Sequence, residues 1–577
     1  MRKTLLSILA VAILLGAASF GFAQGEMKPI ATVSFAGYDR LKADIGVIGR
    51  LVGNPKLADM LEMMLKGKTQ GKGLTGLDTK RPWGVAVFAR PGNAPNLPDL
   101  ITYGFVPVTD LKQLMEAAKS NPKFAAAITS QGVYEIGAKE MYEISVSNLP
   151  LCVQQKGNWA IIVGNRKDLA NAPADPLKLL GDLPKNYDIA VRVSVKDIPA
   201  SMRQMGMAQL QAMASMSRMH GGNGGVASPA QALAPLVSML DELDSVTLGL
   251  KIDPGTSKSY LDLEVTAKAG TKLAERFVAM KLGKTAFAGV QIPEAAVVLN
   301  RHDEINADDL AQVQAALAGF HKRFLDGLGQ QELSEDQVNL MTRFSTDLLD
   351  VLQKTLATKK IDGGLAMLLE PGAATVVGGA TVVDGAKLEK ALQQLVDGLK
   401  KTDPEAAKLI KFNAETHEGV HFHKLSIPTP HPMLVPMFGD TLDLVLGTAA
   451  DKVMLGVGRN AAKTLKKVLD QSKAAADKEV PPLQIKLAVG KIVKFLAEVA
   501  PDENTKMKVA MLAGALEKVG DKDHVTVTNT PISQGVRMRV EMEEGLLKAM
   551  ASMGQMAMSM GAMPPGGPPA PPPPPPK

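Results

Sequence analysis

The sequence predicts an α+β fold made of two homologous units, each a mainly antiparallel sheet with helices packed on it. Three observations predict it: blocks recur in the same order in both halves, alternating apolar runs are separated by turns, and amphipathic helical segments lie between them. Consecutive strands joined by turns favour antiparallel pairing over a doubly wound parallel sheet. The 577 residues also exceed what one hydrophobic core usually serves, which indicates more than one domain.

The repeat is read from two anchor blocks. PIATVSFAGYDRLKAD, from Pro29, aligns without gaps on PEAAVVLNRHDEINAD, from Pro293. Further along, AIIVGNRKDL aligns on MLGVGRNAAK, and the order of matching blocks is the same in both halves. We therefore expect two homologous units, at residues 28–285 and 286–550.

The strands of the first unit are predicted from runs rich in β-branched and aromatic residues. The Pro254-Gly255 dipeptide separates the last two runs and indicates a hairpin turn. The predicted strands are residues 83–88, 101–106, 159–163, 189–195, 246–252 and 260–265.

Helices are predicted between these strands. Asp110 is placed to cap a segment in which Leu111, Leu114 and Met115 follow helical spacing. The segment 388–401 in the second half has the same periodicity.

Both ends of the chain are expected to lie outside the two units. Arg2 and Lys3 precede an apolar run at residues 5–15 and then small residues, so residues 1–23 are predicted to be a secretory signal peptide, with export to the periplasm or the extracellular space. The sequence PPGGPPAPPPPPPK cannot form helix or sheet, so residues 551–577 are expected to be a disordered Met/Pro-rich tail.

Composition limits the classes of partner. Aromatic residues make up only 4% of the chain, the net charge is +6, and no basic patch carries interleaved aromatics, so nucleic-acid binding is not expected. Charges interrupt each long apolar stretch, so no transmembrane segment is predicted in the mature chain. Cys152, the only cysteine, is predicted to be a buried strand residue.

Candidate metal ligands cluster in THEGVHFHKLSIPTPHP. Because side chains alternate across a strand, His421 and His423 would face one side, with His417 nearby, and together they are the candidate metal ligands. The alternative is that they are ordinary exposed strand histidines. The matching block of the first half has Tyr134 and Ile136 at these positions, so a site would belong to one copy alone.

Methionine is the second unusual feature, because the chain has 30. Thioethers bind Cu(I), and they also serve as flexible apolar packing groups. The two clusters are Met202, Met205, Met207, Met213, Met216 and Met219, and Met550, Met553, Met556, Met558, Met560 and Met563.

The blocks GNWAIIVGNRKDL and DKVMLGVGRNAAKTL, with the signal peptide, the Ala/Met-rich helices and the Pro-rich end, resemble a group of uncharacterised exported bacterial proteins of the planctomycete type. The resemblance covers the whole mature chain. It implies a duplicated domain of unknown function and carries over no site residues.

The leading functional hypothesis is a non-catalytic envelope or secreted protein that acts as a binding or scaffold module. No G-x-S-x-G, Walker or Cys-x-x-Cys motif occurs, so no cofactor and no enzymatic activity are predicted. The expected partner is another envelope protein or an extracellular component. The alternatives are a metal-handling protein for copper, nickel or zinc, and a carrier of apolar ligands.

Overall fold

A computed structural model describes most of the chain. The described residues are 28–94, 97–121, 125–126, 128–134, 139–146, 149–206, 239–330, 333–500, 502–517, 520 and 522–550. The predicted signal peptide, the Gly-rich segment 220–229 and the Pro-rich tail lie outside them.

The chain forms two compact units. The first contains the described residues up to Val278 together with the segment Pro531–Arg539, and the second contains Ala279–Thr530 and the described residues from Val540 onward. The main division therefore falls close to the boundary expected at residue 285. The segment Pro531–Arg539 had been expected in the second unit.

The first unit is built on antiparallel strands. They pair in the order β4-β5-β6-β7-β3-β2-β1-β8-β9-β10. The strands are β1 (Ala31–Phe35), β2 (Trp83–Ala94), β3 (Leu97–Pro107), β4 (Ile128–Tyr134), β5 (Lys139–Val146), β6 (Leu149–Lys156), β7 (Trp159–Val163), β8 (Ile189–Ser194), β9 (Leu243–Asp253) and β10 (Lys258–Ala267).

The second unit has the same kind of sheet. Its strands pair in the order β14-β15-β16-β17-β13-β12-β11-β18-β19, again antiparallel throughout. The strands are β11 (Val297–Glu304), β12 (Lys360–Glu370), β13 (Ala373–Thr381), β14 (Ile410–His417), β15 (Val420–Pro428), β16 (Thr441–Thr448), β17 (Lys452–Val457), β18 (Leu483–Ala488), β19 (His524–Ile532) and β20 (Gly535–Met542). β20 begins in the segment that belongs to the first unit.

The α+β class predicted from the sequence is therefore correct, and all six predicted strands of the first unit are present. The corresponding strands of the two units pair in the same order along the sheet. Common ancestry of the two units remains a hypothesis.

Helices lie between the strands of both units. Asp110 accepts a hydrogen bond from the Gln113 amide at 3.1 Å and caps its helix as predicted. The helices are α1 (Tyr38–Leu51), α2 (Leu57–Lys68), α3 (Leu111–Lys119), α4 (Pro176–Leu180), α5 (Leu183–Asn186), α6 (Lys272–Ala279), α7 (Ala307–Leu328), α8 (Glu335–Ala357), α9 (Gly385–Thr402), α10 (Pro404–Lys408), α11 (Val435–Phe438), α12 (Ala461–Ala474), α13 (Val489–Val499) and α14 (Glu503–Glu517).

Each unit has its own hydrophobic core. In the first, Tyr103, Phe105 and Ile161 are almost fully buried, and in the second Phe422 and Met454 of the sheet pack against α12. Cys152 is buried on β6, as predicted, and burial raises the pKa of its thiol. None of the described helices is both long and apolar enough to cross a membrane.

Candidate functional site

The histidine-rich segment forms a hairpin in the second unit. His417 ends β14, while His421 and His423 lie on β15. The two residues between the strands, Glu418 and Gly419, both have positive φ, at 47° and 75°, which is the backbone of a tight hairpin turn with the twist that antiparallel strands prefer.

His423 is a buried residue whose two ring nitrogens both have partners. Its Nδ1 accepts a hydrogen bond from the Asn413 amide at 2.9 Å, and its Nε2 lies 3.0 Å from Thr448 Oγ1. Asn413 has a φ of 48° at an irregularity in the β14–β15 pairing, which turns its N–H toward the ring, and Phe412 stacks on the ring at 4.4 Å. Burial lowers the pKa of His423, so the neutral imidazole is favoured.

The hydrogen bonds around His423 continue to His421 through one carboxylate. Glu389 of α9 lies with Oε2 at 3.2 Å from Thr448 Oγ1 and with Oε1 at 2.8 Å from His421 Nδ1. Since His423 Nδ1 accepts, its Nε2–H donates to Thr448, and the Thr448 hydroxyl donates to Glu389. His421 then donates through Nδ1–H, and its Nε2 is left as the outer ring nitrogen on a side chain that is 41% exposed.

His417 belongs to a different set of contacts. Its Nε2 lies 2.7 Å from Oδ1 of Asp470 on α12. The structure therefore links two of the three predicted ligands, His421 and His423, through Glu389 and Thr448, and places His417 outside that network. Within the part of the chain that the structure describes, no three His, Cys, Asp or Glu side chains are grouped so that they could hold a metal ion.

The methionine clusters are only partly described. Met205 is 59% exposed and Met550 is 47% exposed. The remaining members from Met207 to Met219 and from Met553 to Met563 lie outside the described residues, as does Ile136.

A second group of charged residues, which the sequence analysis missed, lies in the first unit. Asp262 of β10 has no exposed surface, and Arg539 donates to it from Nε and from one terminal nitrogen, both at 2.8 Å. Arg537 donates from Nε to Glu264 at 2.8 Å and lies 3.5 Å from Asp262. Two acids at alternate positions of one strand are thus matched by two arginines at alternate positions of the neighbouring segment.

Tyr187 completes this ion-pair group from the end of α5. Its hydroxyl lies 2.8 Å from Glu264 Oε1 and 3.1 Å from Asp262 Oδ2. Burial first, and then the hydrogen bond to Glu264, raises the pKa of Tyr187, so the phenol stays protonated. The ring lies against Gly249 of β9, where a Cβ atom would come within 2.4 Å of it.

A cleft of about 230 Å³ opens beside this group. Asp253, the acid in its lining, is held by the Gly255 amide and the Thr256 hydroxyl, both at 2.9 Å, and these bonds lower its pKa, the Thr256 bond most. The guanidinium of Arg539 lies 4.8 Å from the centre of the Tyr260 ring. Besides Asn186, the lining consists of Tyr187, Lys251, Asp253, Tyr260, Arg537 and Arg539.

A buried carboxyl pair lies elsewhere in the first unit. Asp44 of α1 is 4% exposed, and Asp188, directly before β8, is 2% exposed. Asp188 accepts from the Ile252 amide at 2.6 Å and forms an ion pair with Arg40 at 2.5 Å. Burial first, and then the negative charge of Asp188, raises the pKa of Asp44 to about 7.

The sequence did contain one signal for the ion-pair group. Asp262 and Glu264 alternate in LDLEV, and Arg537 and Arg539 alternate in VRMRV, so each strand carries like charges on one face. That signal identifies two charged faces and does not show that they meet, because Arg539 and Asp262 are separated by 277 positions.

Comparisons with known proteins identify no relative. No protein-family model matches the chain, no curated protein is similar to it, and no solved structure shares its fold at a significant level.

Proposed function

We propose that the protein is an exported, non-catalytic binding module and that the cleft of the first unit is its binding site. The observation that carries the proposal is the buried ion-pair group at the cleft, in which Asp262 is enclosed by Arg537 and Arg539. The ligand or partner is a component of the cell envelope or of the extracellular space.

The energetics of this group support a role beyond stability. Removing Asp262 from water costs several kcal/mol, and an apolar residue of similar size would stabilise a fold about equally well. The charges do, however, fix the positions of two guanidinium groups. Fixed donors at the edge of a cleft lower the entropy lost when a ligand binds.

The state of the ionisable groups favours binding over catalysis. A general acid or base works best when its pKa lies near the operating pH. In this cleft burial raises the pKa of Tyr187, and the turn of residues 253–256 lowers the pKa of Asp253. Asp262 and Glu264 are occupied by the arginines.

The cleft can be tested with a panel of small probes. We expect at least one of inorganic phosphate, acetate, tetramethylammonium or glucose to raise the melting temperature of the mature full chain. The shift should shrink in Lys251→Met/Tyr260→Phe, which removes two polar groups and keeps the apolar stem and the ring. Lys112→Met, an exposed lysine of α3 outside the cleft, is the matched control. A panel without any shift, or a shift of equal size in the double variant, contradicts the proposal.

Export is tested separately. The mature chain should begin near Gln24 and should be recovered outside the cytoplasm of its host, as measured by mass spectrometry of fractionated cells. Recovery of cytoplasmic protein with residues 1–23 intact would contradict export and would leave the binding proposal unchanged.

A further inference from the structure

We infer that the cleft of the first unit binds a phosphate group, either free or as a monoester. The inference rests on the proposed binding function and names its ligand class.

The lining is positive. Lys251, Arg537 and Arg539 are its cations, and Asp253 is its acid. Asp253 is directed into the turn that follows β9, where Gly255 and Thr256 donate to it. The acids that neutralise the arginines lie behind the lining, since Asp262 has no exposed surface and the Glu264 side chain is 12% exposed.

Several donors remain available to a ligand. Arg539 donates hydrogen bonds from Nε and one terminal nitrogen to Asp262, and Arg537 uses the corresponding two nitrogens to contact Glu264. The other terminal nitrogen, Nη1, of each arginine has no acceptor among the residues that the structure describes. The same holds for the Lys251 ammonium and the Tyr260 hydroxyl.

This donor set fits phosphate better than a carboxylate. A carboxylate has two oxygens, which one guanidinium can satisfy by itself in a bidentate pair. Three separate cationic side chains around one cleft match a tetrahedral dianion, whose oxygens accept hydrogen bonds in several directions. The volume, about 230 Å³, suits a small group more than a drug-sized ligand, whose pockets usually exceed about 300 Å³.

The arginines are held in place before a ligand binds, which favours phosphate binding. Arg539 is held on both sides, by the two bonds to Asp262 and by the Tyr260 ring beneath its guanidinium. Such a side chain loses little conformational freedom when an anion binds, so a larger part of the free energy of each hydrogen bond contributes to affinity.

The test is isothermal titration calorimetry of the mature full chain with inorganic phosphate, glycerol phosphate and succinate. Low ionic strength at about pH 8 keeps phosphate dianionic and limits screening. We expect saturable one-to-one binding of phosphate and glycerol phosphate, with weaker binding of succinate. Lys251→Met should weaken phosphate binding about tenfold, since it removes one charged donor. Lys112→Met should bind like the unmodified chain.

The outcomes separate this inference from the proposed function. Binding of glycerol phosphate that is tighter than binding of free phosphate identifies a monoester as the ligand, and tighter binding of free phosphate identifies the free anion. Succinate binding without phosphate binding overturns the inference and leaves the binding function standing. Phosphate binding that is unchanged in Lys251→Met also overturns it. If none of these anions binds and the probe panel produces no shift, both proposals fail.

Discussion

Arg539 and Asp262 form a bidentate ion pair, with both hydrogen bonds at 2.8 Å, in which the carboxylate has no exposed surface. Such a pair stabilises a fold only while it is complete, because a single buried charge left behind is costly. The pair thus connects the stability of the first unit to the geometry of its cleft.

The first prediction concerns that pair. Arg539→Leu should lower the free energy of unfolding by about 3 kcal/mol, because Asp262 would be left buried with only the hydrogen bond from the Tyr187 hydroxyl and the longer contact to Arg537. The double variant Arg539→Leu/Asp262→Leu should recover most of the loss. Urea unfolding measures both, and Arg50→Leu, at the exposed end of α1, is the control. A double variant no more stable than the single one would show that the charges themselves stabilise the fold.

The second prediction concerns the pH dependence of stability. The pKa of Asp44 is about 7 in the folded protein, above the ordinary value of 3.8. Between these two values the folded state binds the proton more tightly, so the free energy of unfolding should fall as the pH rises from about 4 to about 7. Arg40 and Asp188, which lie beside Asp44, form an ion pair with each other.

The measurement compares the unmodified chain with Asp44→Asn, which cannot titrate at this position. The stability of the variant relative to the unmodified chain should increase across that window by up to about 1.4 kcal/mol per pH unit. Asp59→Asn, on the exposed side of α2, controls for the loss of one carboxylate. Parallel stability curves for the unmodified chain and Asp44→Asn would contradict the assignment.

Local patterns in the sequence predicted most of the strands of the fold but few of the residues of the candidate site. The strands around Trp159 and Val246 were predictable because alternation and turn residues act over a few positions. The cleft was not predictable, because Tyr187, Asp262 and Arg539 come from three distant strands or helices that meet only in the folded unit. β15 contains His421 and His423 at alternate positions, but the contacts from Glu389 and Thr448 could not be predicted from that alternation.

The third prediction concerns the hydrogen-bond network of the second unit. Thr448→Val keeps the shape of the side chain and removes the hydroxyl between His423 and Glu389. His423 Nε2–H would then be buried without an acceptor, so the free energy of unfolding should fall by about 1–3 kcal/mol. Thermal and urea unfolding measure this loss. Thr441→Val, at the exposed start of β16, should change stability by less than about 0.5 kcal/mol. Equal effects of the two substitutions would show that the hydrogen-bond network does not contribute to the stability of the fold.

The fourth prediction concerns metal binding by His417, His421 and His423. Both ring nitrogens of His423 already have partners, and His417 Nε2 is paired with Asp470. A tight transition-metal site needs three or four ligands, so binding here would require several of these hydrogen bonds to break. Calorimetric titration of the metal-free mature chain with Zn(II), Cu(II) and Ni(II) should therefore detect only weak binding at this hairpin.

Single substitutions identify which imidazoles take part in any binding that is seen. His421→Ala removes the most accessible ring of the network and leaves the buried His423 in place, so the variant should fold normally. His417→Ala is the matched control on the neighbouring strand. Submicromolar one-to-one binding that His421→Ala abolishes and His417→Ala preserves would show that His421 is a metal ligand. Its hydrogen bond to Glu389 would then match the carboxylate contact that many metal-bound histidines make. Metal handling would then be the better account of the second unit.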